Sequence, residues 1–253
     1  MLTLQDVHFS IEDKKILDGV SVHFEPCRIH GIIGPNGSGK STMLKNICRI
    51  WEPQSGTISL QGRDCRTIPR RELSALVTLV PQNTVVSFPV PVFDIVSMGR
   101  NPHRGRFEGM TRRDREIIEQ ALRQTGTYEL RGRNVNELSG GEAQLAIIAR
   151  ALATEASLIL LDEPTAELDI RHTLAIMTIL FELKAQCKTI LVTVHDLNLA
   201  IKFCDTITII HRGRVFYAGA PQEAFSTENI KQVFDVQVRE LKDSAGTFLD
   251  FYA

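Results

Sequence analysis

Residues 34 to 42 have the types and the spacing needed to bind phosphate. They fit the pattern G-x-x-x-x-G-K-[ST] and read Gly34-Pro35-Asn36-Gly37-Ser38-Gly39-Lys40-Ser41-Thr42. Glycines let backbone N–H groups converge on one anion, because a side chain there would block the phosphate. Lys40 is predicted to reach the β- and γ-phosphates, and the Ser41 hydroxyl to ligate Mg²⁺. A plain glycine- and serine-rich turn is the alternative, but an apolar strand pattern at 28–33 and a helix pattern at 42–48 favour the phosphate-binding loop.

Two adjacent carboxylates, Asp162 and Glu163, follow an apolar run at residues 158–161. Such a run is typical of a strand buried on both faces of a parallel sheet, and open α/β sheets bind ligands at the carboxyl ends of their strands. Neighbouring side chains on a strand point in opposite directions, so the two acids suit different roles. Asp162 is predicted to bind Mg²⁺, directly or through water, and Glu163 to act on an attacking water. An acidic strand end before a proline turn is the alternative, which the upstream phosphate loop makes less favoured.

Gln82 and His195 also follow apolar strand patterns. An amide or an imidazole in that position can hydrogen-bond the nucleophilic water or the γ-phosphate, and Gln82 is a candidate Mg²⁺ ligand as well. Taken alone, each of them is more typical of a capping or packing residue.

A second anion site is predicted where a serine and two glycines open a helix, in the run Leu138-Ser139-Gly140-Gly141-Glu142. The alternative is a plain Gly-Gly turn. Two phosphate-directed elements far apart in one chain fit an arrangement in which two chains sandwich ATP head to tail.

The elements that must position these residues are predicted from hydrophobic patterning. Short alternating runs over residues 2–30, with a hairpin tip at Asp13, and a strand at 57–62 indicate an antiparallel sheet. Further along, apolar strands alternate with helices, which indicates an α/β layered core. Between 88 and 126 prolines break the chain, a helix is predicted at 111–124, and basic residues form either a solvated face or a docking surface: Arg100, His103, Arg104, Arg106, Arg112, Arg113 and Arg115. The tail from Pro221 is predicted to be helical with an irregular ending.

Composition excludes several classes of protein. The net charge of the 253 residues is −1, so no global attraction to nucleic acid or anionic lipid is expected. No pair among the five cysteines has the spacing of a metal site. No signal-peptide pattern opens the chain and no apolar run approaches the ~20 residues that cross a membrane. We therefore expect a cytoplasmic chain whose membrane role, if any, needs a partner.

The ordered set of motifs resembles the ATPase subunits of ATP-binding-cassette (ABC) transporters, essentially from end to end. In that family's terms the motifs are Walker A at 34–42, the Q-loop at Gln82, the signature at 138–142, Walker B at 158–163, the D-loop at 166–169 and the switch His195. The resemblance implies an α/β RecA-like P-loop core with an antiparallel β subdomain, over residues 1–87 and 156–253, and an inserted α-helical subdomain over 88–155. It also implies that ATP and Mg²⁺ bind, that Ile11 lies where an aromatic residue commonly stacks on adenine, and that Ser139, Gly140 and Gly141 meet the nucleotide of a second copy.

Several stretches resemble the importer ATPases for iron–siderophore, haem and cobalamin: 92–102, 195–198, 219–223 and 227–234. The resemblance implies partners that are integral-membrane permeases, a second copy of the chain and, indirectly, a solute-binding protein, with no nucleic acid. It implies a peripheral position on the cytoplasmic face of the inner membrane. An importer for another metal or an oxyanion stays open. A non-transport ABC ATPase acting on DNA or ribosomes lacks support from coiled-coil, tandem-cassette or basic-tail features, and a small-molecule kinase leaves the signature and D-loop unexplained.

The sequence departs from the family pattern at three places. The signature has Glu142 where Gln is usual, followed by Ala143-Gln144-Leu145 where Arg-Gln-Arg or similar is usual. The D-loop begins Ala166-Glu167 instead of Ser-Ala, and Ile11 is not aromatic. The Glu142 carboxylate is expected to repel a partner's phosphates unless it points away. Because Lys40, Asp162, Glu163 and His195 are present, ATP hydrolysis is still expected.

Overall fold

The computed structural model describes residues 1–82, 88–105, 108–243 and 246–252. Its strands, in chain order, are β1 (Leu2–Ile11), β2 (Lys14–Phe24), β3 (Ile29–Ile33), β4 (Ser55–Leu60), β5 (Arg63–Asp64), β6 (Val77–Val80), β7 (Leu158–Leu161), β8 (Thr189–Thr193), β9 (Thr206–His211), β10 (Arg214–Gly219), β11 (Gln237–Asp243) and β12 (Gly246–Tyr252). Its α-helices are α1 (Lys40–Ile47), α2 (Arg70–Leu76), α3 (Val92–Ser97), α4 (Arg112–Gln124), α5 (Gly140–Ala153), α6 (Ile170–Ala185), α7 (Leu197–Phe203), α8 (Pro221–Ala224) and α9 (Thr227–Phe234). Short 3₁₀ turns lie at Cys65–Thr67, Met98–His103, Tyr128–Leu130 and Val135–Glu137.

The chain forms two compact units. The first unit comprises residues 1–68 and 189–253, and the second unit comprises residues 69–188. The predicted helical subdomain, 88–155, lies inside the second unit, and its boundaries stay a prediction. Within the described residues, no helix is both long and apolar enough to cross a membrane.

The first unit contains the predicted antiparallel sheet, with strand order β2-β1-β4-β5. Leu2, Leu4, Val7 and Phe9 are buried along β1 at intervals of two or three residues. This alternation gives β1 one apolar face, and β1 pairs with β2 from Leu2 opposite Phe24 to the hairpin turn beyond Ile11.

The first unit also contains the strands that carry the phosphate-binding loop. β3 runs parallel to β8 on one side and to β9 on the other, and β9 pairs antiparallel with β10. All five residues of β3 are buried, as expected for a central strand covered on both faces. The carboxyl end of β3 leads directly into residues 34–39 and then α1, so the loop starts from a rigid strand.

The second unit combines a parallel strand pair with helices. β6 and β7 pair in parallel, with Val80 opposite Leu161, and all four residues of β7 are buried. α5 packs against α3 and α4. The sequence predicts one apolar stripe on this helix, at Leu145, Ile148, Ala149 and Leu152; the first three are buried and Leu152 is half-buried.

The predicted basic surface is not a single surface. Arg100 is buried at 4% exposure and donates hydrogen bonds to the Asp114 and Glu155 carboxylates and to the Ala153 carbonyl. Its charge is therefore neutralised inside the unit, where it ties α4 to the end of α5. His103 bonds the Thr154 carbonyl. Arg112 and Arg115 are exposed, and Arg106 lies outside the described residues.

The prediction of an irregular C-terminal ending is wrong. After α9, β11 and β12 form an antiparallel hairpin in which Val238 lies opposite Phe251 and Glu240 opposite Leu249. Val238 and Leu249 are buried, and the Asn198 side chain of α7 exchanges two hydrogen bonds with the Leu249 backbone. Neither strand shows a strict alternation of apolar and polar residues, because Arg239 and Glu240 are both polar and Phe248 and Leu249 are both apolar, so the local pattern does not indicate this hairpin.

Candidate functional site

The phosphate-binding loop has a backbone that only glycine fits at two points. Gly34 has φ +149°, and a Cβ there would lie 2.1 Å from the Ile210 carbonyl oxygen. Gly39, which caps α1, has φ +109°, and a Cβ there would lie 2.9 Å from the Ile16 carbonyl oxygen. Both positions would be strained by any side chain. The loop is therefore a cradle of bare backbone at a helix N-terminus.

Two side chains of the loop indicate what the cradle fits. The Ser38 hydroxyl is buried and has no hydrogen-bond partner among the described residues, an arrangement that a bound anion would satisfy. The Lys40 ammonium, 5% exposed, lies over the loop and donates to the carbonyls of Gly34 (2.9 Å) and Pro35 (3.2 Å). A buried cation, a buried donor and a glycine cradle together fit a phosphate group. Lys40 is the first residue of α1, and Ser41 and Thr42 follow it in the first turn of the helix.

The other predicted residues of the first unit are exposed. Ile11 ends β1 with 46% of its surface exposed, so it offers an apolar contact at the position predicted for adenine. His195 is exposed and follows β8 after Val194. The next residue, Asp196, caps α7 by accepting from the N–H groups of Asn198 and Leu199, which fixes the backbone just after His195.

The second unit brings Gln82 and Glu163 together. Gln82 follows β6, Glu163 follows β7, and the Gln82 amide donates a hydrogen bond to the Glu163 carboxylate. Glu163 has φ +49°, an uncommon conformation for a residue with a side chain. Asp162 is 6% exposed, and its N–H bonds the Val80 carbonyl, which continues the β6–β7 ladder. The two acids therefore differ in burial, since Glu163 is half-buried, and their division of labour stays a prediction.

An open cavity of about 220 Å³ adjoins Glu163 in the second unit. It is lined by Gln82, Gly140 and Gln144 and by Ala166, Glu167 and Leu168 of the D-loop. The Gln144 side-chain nitrogen is buried there without a hydrogen-bond partner among the described residues. Carboxylate, amide and glycine backbone thus share one polar recess.

The signature turn, residues 138–142, starts α5. Ser139 caps the helix, Ser139 and Gly140 are exposed, and Gly141 is buried against His172, whose ring carbon Cγ would lie 2.4 Å from a Cβ. The Glu142 side chain does not point away from the signature turn, because its carboxylate accepts hydrogen bonds from the N–H and the hydroxyl of Ser139. The spacing S-x-x-E at residues 139–142 is the sequence signal that predicts this capping box.

Two further contacts were not foreseen. The Gln82–Glu163 bond joins residues 81 positions apart, and no local pattern predicts it. Asp169 caps α6, and its carboxylate also bonds the ring Nδ1 of His172 at 2.9 Å. Because the His172 ring packs against Gly141, this bond connects the D-loop to the signature turn.

Comparison with known proteins identifies the family. Residues 17–166, more than half of the chain, match the family described as ABC transporter. The chain belongs to the ABC transporter family. An iron(3+)-hydroxamate import ATP-binding protein of Bacillus subtilis is 35% identical over 243 residues, which cover 96% of this chain and 90% of that one.

Two other similar proteins agree with the ABC assignment. A cobalamin import ATP-binding protein of Halobacterium salinarum is 37% identical over 91% of this chain, and the chain spans 58% of the length of that relative. A solved structure of a transporter assigned to the metal-chelate type, in an inward-facing conformation, has a TM-score of 0.86 at 27% identity and covers 99% of this chain and 96% of its own. The predicted fold, an α/β RecA-like core with a β subdomain and a helical subdomain, is confirmed.

Proposed function

We propose that this chain is the ATP-hydrolysing subunit of an ABC importer. The observation that carries the proposal is the loop of residues 34–42, where a glycine cradle, the buried Lys40 ammonium and the unpartnered Ser38 hydroxyl meet. Membership of the ABC family supports ATP as the anion that the loop binds.

The phosphate-binding loop and three oxygen ligands would hold MgATP. Lys40 and the backbone of residues 34–39 offset the phosphate charge, and Ile11 contacts the base. Ser41 and Asp162, with Gln82, supply the hydroxyl, carboxylate and amide oxygens that Mg²⁺ prefers. The bound ion would neutralise charge on the β- and γ-oxygens.

Glu163 is proposed to orient or deprotonate the attacking water. Its hydrogen bond from Gln82 supports this role, because a bonded amide fixes the direction of the carboxylate. His195 is proposed to contact the γ-phosphate or the water, and the helix cap at Asp196 holds its backbone in place.

Two copies are proposed to close head to tail on two MgATP. Ser139, Gly140 and Gly141 of one copy would complete the γ-phosphate site of the other, and the exposed position of Ser139 and Gly140 at the start of α5 supports this. Hydrolysis would reopen the dimer, and this cycle would drive permease subunits at the cytoplasmic face of the membrane.

The proposed cargo is an iron chelate, haem or cobalamin. Relatives named for iron(3+)-hydroxamate and cobalamin import support this class. A solute-binding protein would deliver the cargo to the permease.

Glu163→Gln tests the proposal. Removing the carboxylate while keeping its shape should leave MgATP binding intact, lower hydrolysis by about 100-fold or more, and trap a closed dimer. Calorimetric titration measures MgATP binding, steady-state phosphate release measures hydrolysis, and sedimentation with MgATP measures the dimer. Glu182→Gln, an exposed change on α6, is the matched control. Wild-type turnover in Glu163→Gln would exclude the assigned role.

The trapped variant also serves as bait. Pull-down from detergent-solubilised host membranes with MgATP, read by mass spectrometry, should recover a polytopic permease. Recovery of ribosomal proteins or nucleic-acid enzymes without a membrane protein would overturn the importer and favour the non-transport alternative.

A further inference from the structure

A carboxylate of the chain itself occupies the hydrogen-bond donors of the signature turn. One oxygen of Glu142, Oε2, accepts from the Ser139 N–H at 2.9 Å and from the Ser139 hydroxyl at 2.8 Å. The Glu142 N–H donates back to Ser139 Oγ at 3.4 Å. Ser139 is exposed, so this turn lies at the surface of the second unit.

These donors cannot serve two acceptors at once. A serine hydroxyl has one proton, so Ser139 must release Glu142 before it donates to a phosphate oxygen. The helix N-terminus favours any negative group, and the Glu142 carboxylate already takes that place. An incoming phosphate would therefore meet a filled anion position.

Glu142 keeps its charge in this position. The pKa of its carboxyl lies below the ordinary value, because the N–H and hydroxyl of Ser139 bond the charged form and because Arg133 and His172 lie nearby. At neutral pH the phosphate would approach a like charge at hydrogen-bonding distance from Ser139.

We propose that Glu142 is an internal competitor for the phosphate of the partner's nucleotide and sets the ATP concentration at which two copies close. This inference rests on the proposed function, in which Ser139 completes the site of a second copy. Closure then requires the Glu142 carboxylate to move off Ser139, while MgATP binding by a single chain does not involve Glu142.

Glu142→Gln removes the negative charge of this side chain and keeps its size. Glutamine keeps the acceptor oxygen and is itself a favoured capping-box residue, so the helix start is retained. The matched control is Glu129→Gln, which removes the same charge from a side chain of the same unit that is 88% exposed. Both changes are made in the Glu163→Gln chain, where closed dimers accumulate.

The measurement is the dimer fraction by sedimentation as MgATP is titrated. Glu142→Gln should lower the half-maximal MgATP concentration by about tenfold, since it removes a like charge next to the phosphate. Glu129→Gln should leave it unchanged. Binding of a fluorescent ATP analogue to the monomer should be equal in all three chains.

The other outcomes distinguish a failure of the competitor role from a failure of the proposed function. If ATP-dependent dimers form at the same or a higher MgATP concentration in Glu142→Gln, the competitor role is wrong and the proposed function stands. If none of the chains binds ATP or dimerises, the proposed function fails and the competitor role with it. Should Glu142→Gln fold poorly, Glu142→Ala must also lower the MgATP requirement, although the lost cap lowers its melting temperature.

Discussion

The phosphate-binding loop and the signature turn both lead a glycine turn into a helix, but they differ in what caps the helix. α1 begins after Gly39, which has no side chain to donate or accept, and its first turn holds no acid. α5 begins with a complete capping box made by Ser139 and Glu142. The first helix start is left for an external anion, and the second is occupied by an anion of the chain.

This difference indicates a division of tasks. A loop with an open helix start, a buried lysine and an unpartnered serine can hold phosphate within one chain. A turn whose donors are already bonded binds phosphate only when something else favours the exchange. In the proposed function, that contribution comes from the approach of a second, nucleotide-loaded copy.

The largest expected effect is on the affinity of a single chain for MgATP, and it distinguishes the phosphate-binding loop from the signature turn. Lys40→Ala should weaken MgATP binding by the monomer at least about 100-fold, because it removes a desolvated charge from the phosphate. Ser139→Ala should leave monomer binding within about twofold and lower hydrolysis by about 100-fold, as the loss of one transition-state donor does. Calorimetric titration and phosphate release measure the two quantities.

Equal losses of monomer affinity in Lys40→Ala and Ser139→Ala would break the comparison, because both regions would then act on the same bound nucleotide within one chain. Lys45→Ala is a control for the loss of a lysine charge in α1: its ammonium lies over the Trp51 ring at 4.4 Å, outside the loop.

The smallest expected effect is on the free energy of unfolding. It concerns the start of a third helix and distinguishes a cap that stabilises the fold from a cap that is proposed to affect nucleotide binding. α4 also has a capping box, Thr111 with Asp114, but Asp114 is buried and bonds Arg100. The Thr111 hydroxyl, followed by Arg100, lowers the pKa of Asp114 from 3.8 to about 2. A lowered acid pKa stabilises the fold above about pH 4 and loses this contribution as the pH falls toward 2.

The wild-type chain should therefore lose about 1 kcal/mol of unfolding free energy through Asp114 by pH 3, relative to neutral pH. Asp114→Asn should lack this component, which urea unfolding at pH 6, 4 and 3 measures. Asp64→Asn, an acid that also bonds an arginine but lies at the surface, is the comparison. An identical pH dependence in the wild type and Asp114→Asn would contradict the assignment.

The sequence predicted what local patterns encode. The loop of residues 34–42, the buried strand at 158–161 and the helix at 111–124 follow from spacing and periodicity, and the structure has this strand and this helix, α4, within one residue of those bounds. The bond between Gln82 and Glu163 and the burial of Arg100 depend on residues far apart in the chain, so no window of sequence indicates them.

One feature was within reach of the sequence and was missed. The spacing of Ser139 and Glu142 is a capping box, which predicts that the carboxylate turns toward Ser139. The terminal hairpin is a different case, because residues 237–241 and 248–251 do not alternate strictly between apolar and polar types and so give no clear strand signal.

The most direct test of the central claim is subunit mixing. The claim is that the loop of one copy and the signature turn of another form one ATP site. Lys40→Ala and Ser139→Ala chains should each be inactive alone, but a mixed dimer contains one site with both an intact Lys40 and an intact Ser139. An equimolar mixture should regain about a quarter of wild-type ATP hydrolysis, since half of the dimers are mixed and each has one intact site. Activity in the mixture no higher than the sum of the two separate chains would contradict the head-to-tail arrangement.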